Sequence, residues 1–163
     1  MTGKSTVAKM LRDKIPNSVW INVDRLKRFF KDFYRKKSPR REREALYKAV
    51  KEMVRVFLEE NYSVIVEGLF IETKGIDLMV DLARKGRVPY EIFEFYAPRE
   101  ILIKRDSERN MSVIGGLKVL DRLTKEVLSN PCPQAVKINT SKYSAEECAD
   151  LILKKIQSKQ RRQ

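Results

Sequence analysis

Strand-like and helix-like stretches take turns along the whole of this chain, and that alternation restricts the fold more than any other feature. Val19-Trp20-Ile21-Asn22-Val23, Ser63-Val64-Ile65-Val66-Glu67, Tyr90-Glu91-Ile92-Phe93-Glu94-Phe95-Tyr96 and Ala135-Val136-Lys137-Ile138-Asn139 are short, largely apolar runs rich in β-branched and aromatic residues. Between them, apolar residues recur at helical spacing: Val7, Ala8, Leu11 and Ile15; Leu46, Ala49, Val50, Met53 and Phe57; Ile76, Met79, Val80 and Ala83. Leu117, Leu120, Leu123, Val127 and Leu128 continue the pattern, as do Cys148, Ala149, Ile152 and Ile156. Strands separated by helices of this length need crossover connections, so the expected fold class is α/β, a parallel sheet with helices on both faces. Punctuation agrees: Pro16-Asn17 stops the first helix, Pro98 opens another, and Ser144 with Glu147 forms a capping box before the last.

A further helix is expected after the first strand. Leu26, Phe29, Phe30, Phe33 and Tyr34 fall at i, i+3, i+4, i+7 and i+8, which predicts an amphipathic helix with the aromatics in the core. Arg25, Lys27, Arg28 and Lys31 would then line its other face, and a basic break follows at Arg35 to Arg41.

At 163 residues the chain suits a single domain, expected over 1–157 with a basic tail at 158–163. No apolar run approaches the roughly 18 residues of a membrane span and no leader is visible, so the expected location is the cytoplasm. The 35 basic and 22 acidic residues leave a formal charge of +13, which suits phosphate-rich ligands or reflects a Lys/Arg-rich proteome. Histidine is absent and the two cysteines, Cys132 and Cys148, cannot form a zinc site alone. Chemistry must rest on carboxylates, lysine, arginine and backbone groups.

The sharpest local pattern is Gly3-Lys4-Ser5-Thr6, directly before the first helix. It supplies the second half of the phosphate-binding pattern G-x-x-x-x-G-K-[ST]. Amides at a helix N-terminus face phosphate oxygens, so Thr2, Gly3, Lys4, Ser5 and Thr6 are the expected nucleotide-binding residues. Lys4 would reach the β- and γ-phosphates, and Ser5 would ligate Mg²⁺. The first glycine and the strand before it are not in the sequence, although that strand is usually central in doubly wound sheets. The expectation is therefore a fold whose first strand is missing, with about ten further residues upstream in the native protein. Strands 63–67 and 90–96 should then not pair directly with each other.

Other candidates stand where α/β sites assemble, at the carboxyl ends of strands. Asp24 follows the first strand and suits a base for an accepting hydroxyl, though aspartate also suits a helix cap. Glu67 ends the second and suits a Mg²⁺ or substrate contact. Lys27, one turn beyond Asp24, is a candidate for the substrate or its phosphoryl group. Arg105 and Arg109 lie one helical turn apart and could clamp phosphoryl oxygens, in a lid over about 105–116 hinged at Gly115-Gly116.

Gly3-Lys4-Ser5-Thr6, Ile21-Asn22-Val23-Asp24 and the segment Ala97 to Arg109 together resemble P-loop kinases of the polynucleotide 5′-hydroxyl kinase, zeta-toxin and chloramphenicol phosphotransferase type, over roughly residues 1–156. The resemblance implies the three-layer P-loop NTPase fold, ATP and Mg²⁺ as cofactors, Asp24 as general base, and Arg105 and Arg109 in a lid over the phosphates. Lys27 stands where polynucleotide kinases carry an arginine. Glu67-Gly68 is closer to the Asp-Gly of small-molecule nucleotide kinases, so the acceptor stays open. The expected function is transfer of the γ-phosphoryl group of ATP to a hydroxyl or phosphate acceptor, on a small molecule, a nucleotide or a nucleic-acid end. The alternative is a non-catalytic, ATP-gated nucleic-acid-binding protein.

Overall fold

The computed structural model describes residues 2–31, 33, 40–108 and 117–160. Arg109, the remainder of the expected lid with Gly115-Gly116, Tyr34, most of the basic break and residues 161–163 lie outside them.

Along the chain the elements are α1 (Lys4–Lys14), β1 (Ser18–Asn22), α2 (Val23–Leu26) followed by a 3₁₀ turn (Lys27–Phe29), α3 (Arg40–Glu59) and β2 (Ser63–Glu67). Then come α4 (Lys74–Lys85), β3 (Phe93–Tyr96), α5 (Arg99–Ser107), α6 (Leu117–Ser129), β4 (Val136–Asn139) and α7 (Ala145–Gln160). The fold is α/β with parallel strands, as the alternation requires. β1 pairs with β2, from Ser18 opposite Ser63 to Asn22 opposite Glu67. β3 pairs with β4, from Phe93 opposite Val136 to Tyr96 opposite Asn139. Among the described residues β2 and β3 thus belong to separate two-stranded sheets.

The chain divides into two compact units, one of residues 1–7, 71–73 and 91–163, the other of residues 8–70 and 74–90. In the second unit, Ile21 and Val23 meet Leu46, Tyr47, Val50 and Val54 of α3, with Val64, Val66, Leu78 and Met79 packed around them. The α3 side chains recur at i, i+1, i+4 and i+8, the stripe that seats a helix on a sheet. Two turns place asparagine, which tolerates a left-handed backbone, at such a position, Asn17 with φ 46° and Asn61 with φ 62°, while Arg87 takes φ 54° after α4. In the first unit, Ile138 of β4 is buried, as are Leu102 of α5, Leu120 of α6, and Cys148, Ala149 and Ile152 of α7. The capping box forms: the Ser144 amide donates to Glu147 Oε2 at 2.7 Å, and the Glu147 amide donates to Ser144 Oγ at 3.2 Å. α7 runs to Gln160 and so takes in the first residues of the expected tail.

The aromatic helix predicted over 26–34 is the element that differs. α2 has four residues, and the chain then tightens into the 3₁₀ turn. A 3₁₀ turn advances about 120° per residue where an α-helix advances about 100°. The stripe therefore breaks: Phe33 is buried, while Phe29 is 83% exposed.

Candidate functional site

Burial picks out the polar groups that matter. Among the described residues the buried polar or charged side chains are Lys27, Glu67 and Thr140, and each lies at or just beyond the carboxyl end of a strand. A charge is rarely taken out of water unless partners hold it, so each of these marks a built cluster.

Two of them belong to the β1·β2 unit. At the ends of these strands Asn22 stands opposite Glu67, and its Nδ2 donates to Glu67 Oε2 at 2.6 Å. The other side of the same amide caps α2, Oδ1 accepting from the Arg25 amide at 2.9 Å. Asp24, in the first turn of α2, uses both carboxylate oxygens: Oδ1 accepts from Lys27 Nζ at 2.5 Å and Oδ2 from the Leu69 amide at 3.1 Å. Lys27 also reaches the Leu69 carbonyl at 3.4 Å and lies 5.8 Å from the centre of the Phe33 ring. Gly68 makes the crossing possible, since a Cβ there would sit 2.8 Å from Val23 Cβ. Asp24, Lys27 and Glu67 thus gather on one strand edge of one unit.

Gly3, Lys4, Ser5, Thr6 and Arg105 belong to the β3·β4 unit. Gly3 adopts φ +81°, a backbone that favours glycine, and its carbonyl accepts from the Val7 amide at 3.1 Å to open α1. The first amides of a helix have no acceptor four residues back, which makes this end suited to an anion. A cavity of about 340 Å³ opens there, lined among others by Thr2, Gly3, Thr6, Arg105, Thr140 and Tyr143. Arg105 is tied to the end of β4: Nη1 donates to Thr140 Oγ1 at 3.0 Å and Nη2 to the Thr140 carbonyl at 2.6 Å. Thr140 is itself anchored to the Tyr96 carbonyl through its amide at 2.9 Å and its hydroxyl at 3.3 Å. Arg105 therefore reaches the cavity wall as part of a fixed strand-end network.

A second cavity in this unit, about 360 Å³, runs along α5 and α6 beside the Arg99–Asp121 ion pair. None of the candidate site residues lines it.

No group of three or more Asp, Glu or Cys among the described residues could hold a metal ion alone. The Ser5 hydroxyl in one unit and the Glu67 carboxylate in the other are each hard oxygens. Each is a donor of the kind Mg²⁺ takes, an ion that usually has one or two protein ligands and completes its shell with phosphate and water.

Sequence reasoning singled out Asp24, Lys27, Glu67 and Arg105 but not Asn22, Leu69 or Thr140. Asn22 carried a readable signal, a cap-type residue at the end of a strand and two positions before Asp24. Thr140 carried none beyond its place after a strand.

A family model described as AAA domain matches residues 2–127. The chain belongs to the AAA domain family. Membership brings a P-loop NTPase-like fold. Two solved structures are similar to this AAA domain protein. One is described as APE1195, at 15% identity and a TM-score of 0.68, covering 96% of this chain and 89% of that one. The other is the tunicamycin resistance protein of Deinococcus radiodurans, at 14% identity and 0.64, covering 95% and 89%. At such identities they speak for the fold alone. No curated protein sequence matches significantly. No helix among the described residues is long and apolar enough to cross a membrane.

Proposed function

We propose that this AAA domain protein is an ATP-dependent kinase of the cytoplasm that transfers the γ-phosphoryl group to a hydroxyl or phosphate acceptor. The observation that carries the reading is the mouth of α1, where Gly3 in a left-handed backbone opens the helix onto a cavity walled by Arg105. That is the chemistry of a polyphosphate site: helix amides, a lysine and a guanidinium. Thr2, Gly3, Lys4, Ser5 and Thr6 take the nucleotide phosphates, Lys4 at the β- and γ-positions. Ser5 and Glu67 are the residues that would hold Mg²⁺, which when bound neutralises charge on the phosphates. Asp24 receives the proton of the acceptor hydroxyl, with Lys27 holding its carboxylate in place. Arg105 and Arg109 counter the charge spread over the transferring group.

Turnover of ATP against nucleosides, sugars and 5′-hydroxyl oligonucleotides tests this, with ATP affinity followed by calorimetry. Asp24→Asn should lower transfer by about 10²-fold or more and leave ATP affinity within about twofold. Undiminished transfer by the variant would remove Asp24 from the mechanism.

A second reading, nucleic-acid binding without transfer, is favoured by Phe29. This ring is 83% exposed, with Arg25, Arg28 and Lys31 exposed around it, the composition of a surface on which a base stacks beside its phosphate. Under that reading Phe29→Ala weakens oligonucleotide binding in the same assay and Asp24→Asn changes nothing.

A further inference from the structure

Asn22 links the two sides of this strand edge, bonding Glu67 at the end of β2 and the Arg25 amide in the helix that carries Asp24. Its amide faces two groups of opposite kind. The Arg25 N–H can only donate and the Glu67 carboxylate accepts, so the carbonyl oxygen must point to Arg25 and the NH₂ to Glu67. The two contacts, 2.9 and 2.6 Å, are thus fixed in orientation as well as in length.

We propose that Asn22 is a positioning residue: it aims the Glu67 carboxylate and locks that aim to the start of the helix that carries Asp24. Few other side chains serve. Aspartate keeps the cap but has no donor for Glu67, and serine keeps the cap but is too short to reach across to the neighbouring strand. Glutamine adds a methylene and displaces both contacts. Glu67 is 7% exposed, so protein groups rather than bulk water set its orientation, and the Asn22 amide is among them. The register leaves Asn22 as its direct cross-strand neighbour.

The proposal rests on the kinase reading, in which Glu67 serves Mg²⁺. Its test is the ratio of ATP affinity with and without Mg²⁺, measured by calorimetry, with folding followed by the fluorescence of Trp20, the single tryptophan. Asn22→Ser retains the cap, so it should stay folded at the assay temperature and bind Mg²⁺-free ATP within about twofold of the parent. The Mg²⁺ enhancement should fall about tenfold, the usual effect of removing a group that orients a metal ligand. Glu67→Gln should lower the same ratio, and Asn22→Ser added to it should cost nothing further, because Asn22 acts through Glu67. A wild-type ratio in Asn22→Ser, or a full additional loss in the double variant, would overturn the positioning role while leaving the kinase reading intact. Failure of the unaltered protein to bind ATP more tightly with Mg²⁺ would remove the kinase reading and the proposal with it.

Discussion

Lys27→Met is the substitution whose consequence can be worked most closely from the geometry. The methionine keeps an unbranched stem of similar length, so the buried volume is largely retained and what is lost is the ammonium, with its place over the Phe33 ring. Breaking a buried ion pair by removing one partner costs about 3–5 kcal/mol, while an exposed pair contributes at most about 1 kcal/mol. This pair lies between the limits: the lysine side chain is 10% exposed and that of Asp24 36%. Asp24 retains both some water and the Leu69 amide at 3.1 Å, which softens the loss. A cost of about 2 kcal/mol follows. For a chain of this size each kcal/mol lowers Tm by about 2–4 °C, so the melting point should fall by about 6 °C. Urea unfolding followed by Trp20 fluorescence suits the measurement, since Trp20 lies on β1 in the same unit and urea does not screen charge. Asp24→Asn, Lys27→Met and the double variant close a cycle whose coupling should be about 1.5 kcal/mol. A coupling under about 0.5 kcal/mol, the value of a solvated surface pair, would refute the claim that this ion pair holds the strand edge together.

Two further predictions concern backbone crossing and acid. Gly68→Ala pushes a methyl to within 2.8 Å of Val23 Cβ and should cost about 1–3 kcal/mol, read as a lower urea midpoint; an unchanged midpoint would show that the crossing can relax. Glu147 is held below the ordinary carboxylate value of 4.5 first by the Ser144 amide and then by the Ser144 hydroxyl. A carboxylate with a lowered folded value contributes stability above its unfolded value and loses it as pH falls through the folded one. The advantage of wild type over Glu147→Gln should therefore be full at neutral pH and vanish as acid is added below pH 4.5; a difference that does not change with pH would contradict the cap.

How much of this was legible beforehand depends on the range of the interactions involved. β2 was read to the residue, because Val64, Ile65 and Val66 crowd a helix and suit a pleated strand whatever surrounds them. The capping box was read for the same reason, all its atoms lying within four residues. The helix over 26–34 was misread because spacing treats every position as free to follow its own polarity. Lys27 does not: its ammonium turns inward to Asp24, the backbone tightens around it, and Phe29 is carried out to solvent. Asn22 to Glu67 spans 45 residues and Arg105 to Thr140 spans 35, so neither contact exists until strand register is set. Pattern can place Glu67 at a strand end, but only register says that an amide stands opposite it.

The strand edge of the β1·β2 unit is organised by the protein itself. Asn22 engages Glu67, and Asp24 engages Lys27 and the Leu69 amide, with hydrogen bonds of 2.5 to 3.1 Å. Prior order of this kind lowers what a ligand must spend on arranging the groups that meet it. It also means that the same hydrogen bonds serve folding and chemistry. A variant that breaks one of them unsettles the unit before it alters any reaction, and loss of turnover alone cannot assign a role. Asn22→Ser and Asp24→Asn separate the two effects because each keeps a cap or a shape while removing one donor or one charge. If the edge were only structural, both would shift the urea midpoint and leave the Mg²⁺ enhancement and the acceptor-dependent rate where they were.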